Sequence, residues 1–225
     1  MSAGAAQAFV GALAARERVD VAGSFGAVGA MREKFLSGEG CDVLILTRAQ
    51  IDALARDGLV VGETVADLGT VPTAIAVRAG KPVPDVSGEA GLRAALLAAD
   101  AIYFPDPAKA TAGIHFAKVL DQLGIRPTIE PRIRNFPNGA TSMREMAEAR
   151  GNPIGCTQAT EILATPGVHL VAPLPSGFEL ETIYTAAVSA KAADPLRARA
   201  FVNALGGASS RELRATAGFV LPPVR

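Results

Sequence analysis

A two-lobed α/β fold is what this sequence predicts, on three observations. Strand and helix signals alternate from end to end, as in a sheet of mostly parallel strands with helices between them. Two rigid polar stretches, Lys81-Pro82-Val83-Pro84-Asp85 and residues 173–177, interrupt the alternation. The cycle restarts after the first, and after the second an apolar strand at 183–188 reads as a return to the first half. The expected lobes are residues 1–82 with 179–225, and residues 83–178. Two crossings between lobes make the layout of a clamshell that closes on a ligand; a single doubly wound domain is the alternative.

The elements follow in order. Residues 5–16 read as a helix with Phe9, Val10 and Leu13 on one side. Residues 19–25 form a short β-rich run, 26–29 a turn and 30–36 a helix. Asp42-Val43-Leu44-Ile45-Leu46-Thr47 is the clearest buried strand. A helix over 49–57 and a strand over 71–77 complete the first pass. In the second half, 92–99 is helix and 101–104 strand. The next helix runs over 112–123, its stripe of Phe116, Val119, Leu120 and Leu123 spaced for one helical face. A strand is expected at 128–133, a helix at 142–149, a strand at 153–157, a short helix to 164 and a strand at 168–172. Asp194-Pro195 opens a helix, with Asp as the cap and Pro in the first turn. Ser209 and Glu212 have capping-box spacing for the last one.

The totals exclude several classes. Lys plus Arg and Asp plus Glu are both 22, so the formal charge is zero. That argues against nucleic acid or an anionic membrane as partner. Any bound anion must be held by local geometry. No apolar run reaches 18 residues, so membrane insertion is not expected. Cys41 and Cys156 lie far apart and read as buried small residues, not a disulfide framework. With two cysteines and two histidines, no metal and no cofactor are expected. Met1-Ser2-Ala3-Gly4 runs straight into an Ala-rich helical pattern without the order of a signal peptide. The location is therefore cytoplasmic, or periplasmic if a leader was removed or the start is late.

In open α/β sheets, ligands bind beyond the carboxyl ends of strands, where loops lead into helix N-termini that attract anions. Small polar loops of this kind are Ser2-Ala3-Gly4-Ala5, Gly26-Ala27-Val28-Gly29, Thr47, Ala110-Thr111-Ala112-Gly113, and Thr157-Gln158. Each alone reads equally as an ordinary strand-to-helix turn. Neither a phosphate loop nor a dinucleotide fingerprint is matched. His115, one turn from Thr111, is a candidate ligand donor or acid/base, or else a packing histidine. Asn138 lies on the loop that follows Arg132 and Arg134, where an arginine could clamp a carboxylate or simply be solvated. His169 and Asp106 read as structural. No nucleophile elbow or paired carboxylates stand out.

The strongest stretch is Pro105-Asp106-Pro107-Ala108-Lys109-Ala110-Thr111-Ala112-Gly113-Ile114-His115-Phe116-Ala117-Lys118-Val119-Leu120, followed by Leu123-Gly124. With Ser2-Ala3-Gly4-Ala5, the run from Gly23 to Arg32, Asp42-Val43-Leu44-Ile45 and Pro153-Ile154-Gly155, it resembles the molybdate-binding family of extracellular solute-binding proteins over nearly the whole chain. The resemblance implies a clamshell of the type 2 periplasmic-binding-protein kind. Its two lobes would cage an oxyanion with hydroxyls and backbone N–H groups, and its partner would be an ABC permease. It places Ser2, Gly4, Ala5, Val28, Gly29, Thr111, Ala112, Gly113, His115, Asn138, Thr157 and Gln158 at the cleft. Ala5 and Val28 or Gly29 stand where molybdate binders carry serines, and Gln158 where they carry a tyrosine. Family members also open with an apolar strand ahead of the Ser-Ala-Gly segment, so a strand of the first-lobe sheet is expected to be absent here. A branch that includes aconitate isomerase is similar in its Gly-Ile-His-Phe-Ala-Lys helix. The leading expectation is a binder of a small oxyanion or organic carboxylate, for transport or sensing. The alternative is an isomerase of an unsaturated tricarboxylate with His115 as acid/base.

Overall fold

β2 (Ala66–Arg78) is the longest strand and the one that organises the chain. Its first half pairs antiparallel with β7 (Glu181–Val188), from Ala66 opposite Ala186 to Pro72 opposite Glu181. From Thr73 onward it pairs with β5 (Ile154–Gln158) on one side and β6 (Val168–Pro173) on the other, both antiparallel. Pro72 has no N–H to give a ladder and sits where the strand changes partners. Gly69, at φ +138°, takes up the register shift between Asp67 and Gly69, a backbone shape that favours glycine. The computed structural model describes residues 3–223, except for the side chains of residues 3–8.

Two sheet regions result. One is β1 (Val43–Thr47), β7 and the first half of β2, in that order and wholly antiparallel. The other adds β3 (Ile102–Pro105) and β4 (Ile133–Phe136) beyond β5, in the order β6-β2-β5-β3-β4. Among the described residues only the β3 pairings, with β4 and β5, are parallel. The expectation of a mostly parallel sheet is thus corrected. Alternation of strand and helix fixes neither the direction of β7 nor that of β6, and both run against β2.

The fold is a two-lobed α/β clamshell, and each sheet region carries a core. The first gathers Leu13 of α1 (Ala3–Glu17), Ile51 and Leu54 of α3 (Arg48–Arg56), Leu68, Ala186 and Val202. It also takes Met143 and Met146 of α7 (Gly139–Ala147) and Ile162 of α8 (Ala159–Leu163). The second core joins Ile75 and Val77 to Leu92 and Leu96 of α4 (Glu89–Ala98), with Phe116, Val119 and Leu120 of α5 (Thr111–Gln122). Phe104 meets Phe116 edge to face at 5.2 Å. Each such fully buried side chain contributes about 1.5–3 kcal/mol.

Three further expectations are corrected. Residues 19–25 form no strand. They lie across a groove of about 850 Å³ from the edge strand β1 and pair with no strand. Residues 128–133 are largely helical, within α6 (Arg126–Ile129) and a 3₁₀ turn, Glu130–Arg132. Pro127 and Pro131 fit first helical turns and cannot donate to a sheet. The Ser209 and Glu212 box does not form. Ser210 is the residue ahead of α10 (Arg211–Thr216), and its hydroxyl bonds the Leu205 and Gly207 carbonyls. Asp194 does cap α9 (Pro195–Gly206), accepting from Arg197 N at 3.0 Å.

Candidate functional site

Five places in the chain meet at one pocket between the two sides of the molecule. Ala27 and Val28 come from the start of α2 (Val28–Leu36). Pro105, Ala110, Thr111 and Ala112 come from the β3–α5 corner. Asn138 and Gly139 open α7, Gln158 and Glu161 belong to the β5–α8 corner, and Tyr184 rises from β7. The open space is about 20 Å³, against the roughly 10–15 Å³ that a buried water needs. The walls touch nearby. Gly29 approaches Lys109 so closely that a Cβ would lie 2.6 Å from the Lys109 carbonyl. Lys109 Nζ pairs with Glu33 at 3.0 Å.

Helix N-termini in this chain differ in how they are capped. Thr47 caps α3 in a full capping box, so its hydroxyl is spent on Gln50. Asn138 caps α7 through Thr141 N at 2.8 Å, and Asp194 caps α9. The residues ahead of α2 and α5 are Ala27 and Ala110, which have no side chain to offer. Their first-turn N–H groups are therefore left for water or a guest, with the positive ends of two helix dipoles behind them.

Glu161 is 3% exposed. Its Oε2 accepts the Thr157 hydroxyl at 2.5 Å and its Oε1 accepts the Ala140 N–H at 3.2 Å. Burial pushes its carboxyl above the ordinary range, and these hydrogen bonds oppose that only in part. Tyr184, 3% exposed, is likewise pushed up by burial and then by the Glu161 charge. Gln158 is 2% exposed and donates Nε2–H to Thr182 Oγ1 at 3.1 Å, while its Oε1 has no partner. Turning that amide over lets its oxygen accept from the Thr182 hydroxyl and directs two donors elsewhere.

Of the residues read from sequence, Val28, Thr111, Ala112, Asn138 and Gln158 line the pocket. Gly29 forms the close contact just described. Gly113 packs against the Pro105 and Asp106 carbonyls, where a Cβ would not fit. Thr157 is buried behind the wall and holds Glu161. His115 stands outside the lining, its Nε2–H donated to the Phe178 carbonyl at 2.8 Å. Gly4 and Ala5 fall in the first turn of α1; Ser2 lies outside the described residues. Arg132 and Arg134 spend their guanidiniums on backbone carbonyls. Asp106 shapes its turn by accepting from Ala108 N, and His169 is exposed on β6. Glu161 and Tyr184 went unread. Glu161 has a faint sequence signal, an acid three residues after the helix-opening Gln158, but its burial comes from strands distant in the chain. Among the described residues no three His, Cys, Asp or Glu are grouped to hold a metal, and no helix is long and apolar enough to cross a membrane.

Comparison with known proteins agrees with this fold. The chain is 27% identical over 180 residues to aconitate isomerase of a Pseudomonas species, covering 78% of this chain and 66% of that protein, just under two thirds of its length. The periplasmic molybdate-binding protein of Azotobacter vinelandii superposes with a TM-score of 0.77 at 17% identity, covering 98% of this chain and 95% of the other. The sulfate-binding protein SubI of Mycobacterium tuberculosis gives 0.71 at 21% identity, covering 96% and 82%. At these identities the structures establish the fold. The family described as bacterial extracellular solute-binding protein matches residues 2–220. The chain belongs to that family.

Proposed function

We propose that the pocket binds a small oxyanion for transport or sensing, with residues 1–82 and 179–225 as one lobe closing on residues 83–178 as the other. A single observation carries the reading. Two helix N-termini without side-chain caps, those of α2 and α5, converge on one small space. Such ends attract anions through free N–H groups and the helix dipole, and they need no net positive charge. This suits a chain whose formal charge is zero. The Gln158 amide and Tyr184 hydroxyl add polar groups where the walls are otherwise apolar. The molybdate and sulfate binders that share the fold support an oxyanion as guest. An ABC permease is the partner that such a role calls for.

Thermal-shift measurements with molybdate, tungstate, sulfate, citrate and cis- and trans-aconitate test the reading, because a ligand that binds the folded state raises apparent stability with the logarithm of its concentration over Kd. Stabilisation by oxyanions alone is expected. Stabilisation by the carboxylates alone would refute it.

The second reading, isomerisation of an unsaturated tricarboxylate, is favoured by the aconitate isomerase relative. Such a substrate needs the cleft to open well beyond its present space. Incubation with trans-aconitate, followed by assay of the cis isomer, decides this reading. Turnover unchanged in His115→Ala would remove His115 as acid/base and leave Glu161 and Tyr184 as the titratable groups on the pocket.

A further inference from the structure

Glu161 is a carboxyl in the wall of a pocket framed by anion-attracting helix ends. It is fixed there. Thr157 from β5 and the Ala140 N–H from α7 hold its two oxygens. The space behind it is full, since a Cβ on Gly139 would overlap both Glu161 and Thr157. Tyr184 of β7 is the titratable side chain that shares its surroundings. Among the described residues it has no ion-pair partner. A guest anion and an ionised carboxylate would then sit side by side with no cation between them, and two like charges at such a distance do not both persist.

We propose that the cleft takes its anion together with one proton, carried on Glu161 or shared between Glu161 and the guest, so that this residue determines which protonation states of an oxyanion are accepted. The proposal rests on the oxyanion reading above. A permanently dianionic guest such as sulfate draws the proton from solvent onto the carboxyl. A guest that already bears a proton, such as hydrogen phosphate, brings its own and donates it to the carboxylate. In both cases the liganded site holds one proton more than a free site with Glu161 ionised.

The test is titration calorimetry of the full chain with sulfate and with molybdate, from about pH 6.5 to about pH 9.5, in two buffers of different ionisation enthalpy. Wild-type affinity should fall as pH rises, approaching about tenfold per pH unit once the free carboxyl is ionised. The two buffers should report uptake of about one proton per anion. Glu161→Gln, neutral at every pH, should give a flat profile and bind more tightly than wild type at the alkaline end. Parallel profiles for the two proteins, or loss of binding in Glu161→Gln, would overturn the proposal. Should that variant not fold, the wild-type proton count decides alone, and a count near zero throughout rejects the coupling. If neither protein binds sulfate or molybdate at any pH, the oxyanion reading itself falls, and the coupling with it.

Discussion

Replacing Gly29 by alanine should weaken ligand binding while leaving the fold as stable as before, or more so. Gly29 lies in the first turn of α2 and faces the Lys109 carbonyl across the pocket mouth. A methyl group there would sit 2.6 Å from that oxygen, where ordinary contact begins at 3.4 Å. The two walls must therefore part by about 0.8 Å, or the closed form must carry the overlap. Overpacking of this kind costs roughly 1–3 kcal/mol. An open cleft escapes it, so the cost falls on closure and lowers affinity by about 5- to 150-fold, at 1.4 kcal/mol per tenfold. Alanine also favours a helix over glycine by up to about 1 kcal/mol. Calorimetric titration with molybdate or sulfate, beside thermal melts without ligand, reads both effects. Affinity should drop while Tm holds or rises. Affinity within twofold of wild type would refute the idea that closure brings these two backbones together.

Gln158→Leu should reduce oxyanion affinity by about tenfold, the loss of roughly one hydrogen bond to a charged guest, with little effect on the melt; unchanged affinity would remove Gln158 from the site. Arg214 donates to the carbonyls of Leu68, Gly206 and Gly207 and to Ser210 Oγ. Arg214→Met should therefore cost about 3–5 kcal/mol in urea unfolding by stranding those buried acceptors, and a loss under 1 kcal/mol would contradict the network. Glu161 titrates higher when folded than when unfolded because burial disfavours its charge. Its favourable contribution is thus complete below the ordinary value of 4.5 and is lost as pH rises through the folded value. Denaturation at stepped pH should show wild type losing stability relative to Glu161→Gln across that window; a gain would reverse the sign and reject the burial argument.

The sequence was legible wherever structure is local. The stripe Phe116, Val119, Leu120 fixed α5, Asp194-Pro195 fixed the start of α9, and 42–47 gave β1, because periodicity and capping act over a few residues. The pocket corners at Val28, Ala112 and Gln158 could also be read, since each lies at or just before a helix start with small or polar side chains. Strand direction could not. β2 switches partners at Pro72, and nothing near it in sequence says that β5, β6 and β7 all run against it. The run at 19–25 has strand composition without a strand, because a ladder requires a neighbour and composition does not supply one. Glu161 illustrates the same limit at the site. An acid in the first turn of a five-residue helix looks like a solvated charge until Thr157, Gly139 and Tyr184, brought in from three other elements, enclose it. The chain alone determined its helices, its caps and the kind of corner that could meet a guest. Tertiary packing decided which corners share one space and which carboxyl is buried there, because dehydration of a charge depends on everything around it and not on its neighbours in sequence.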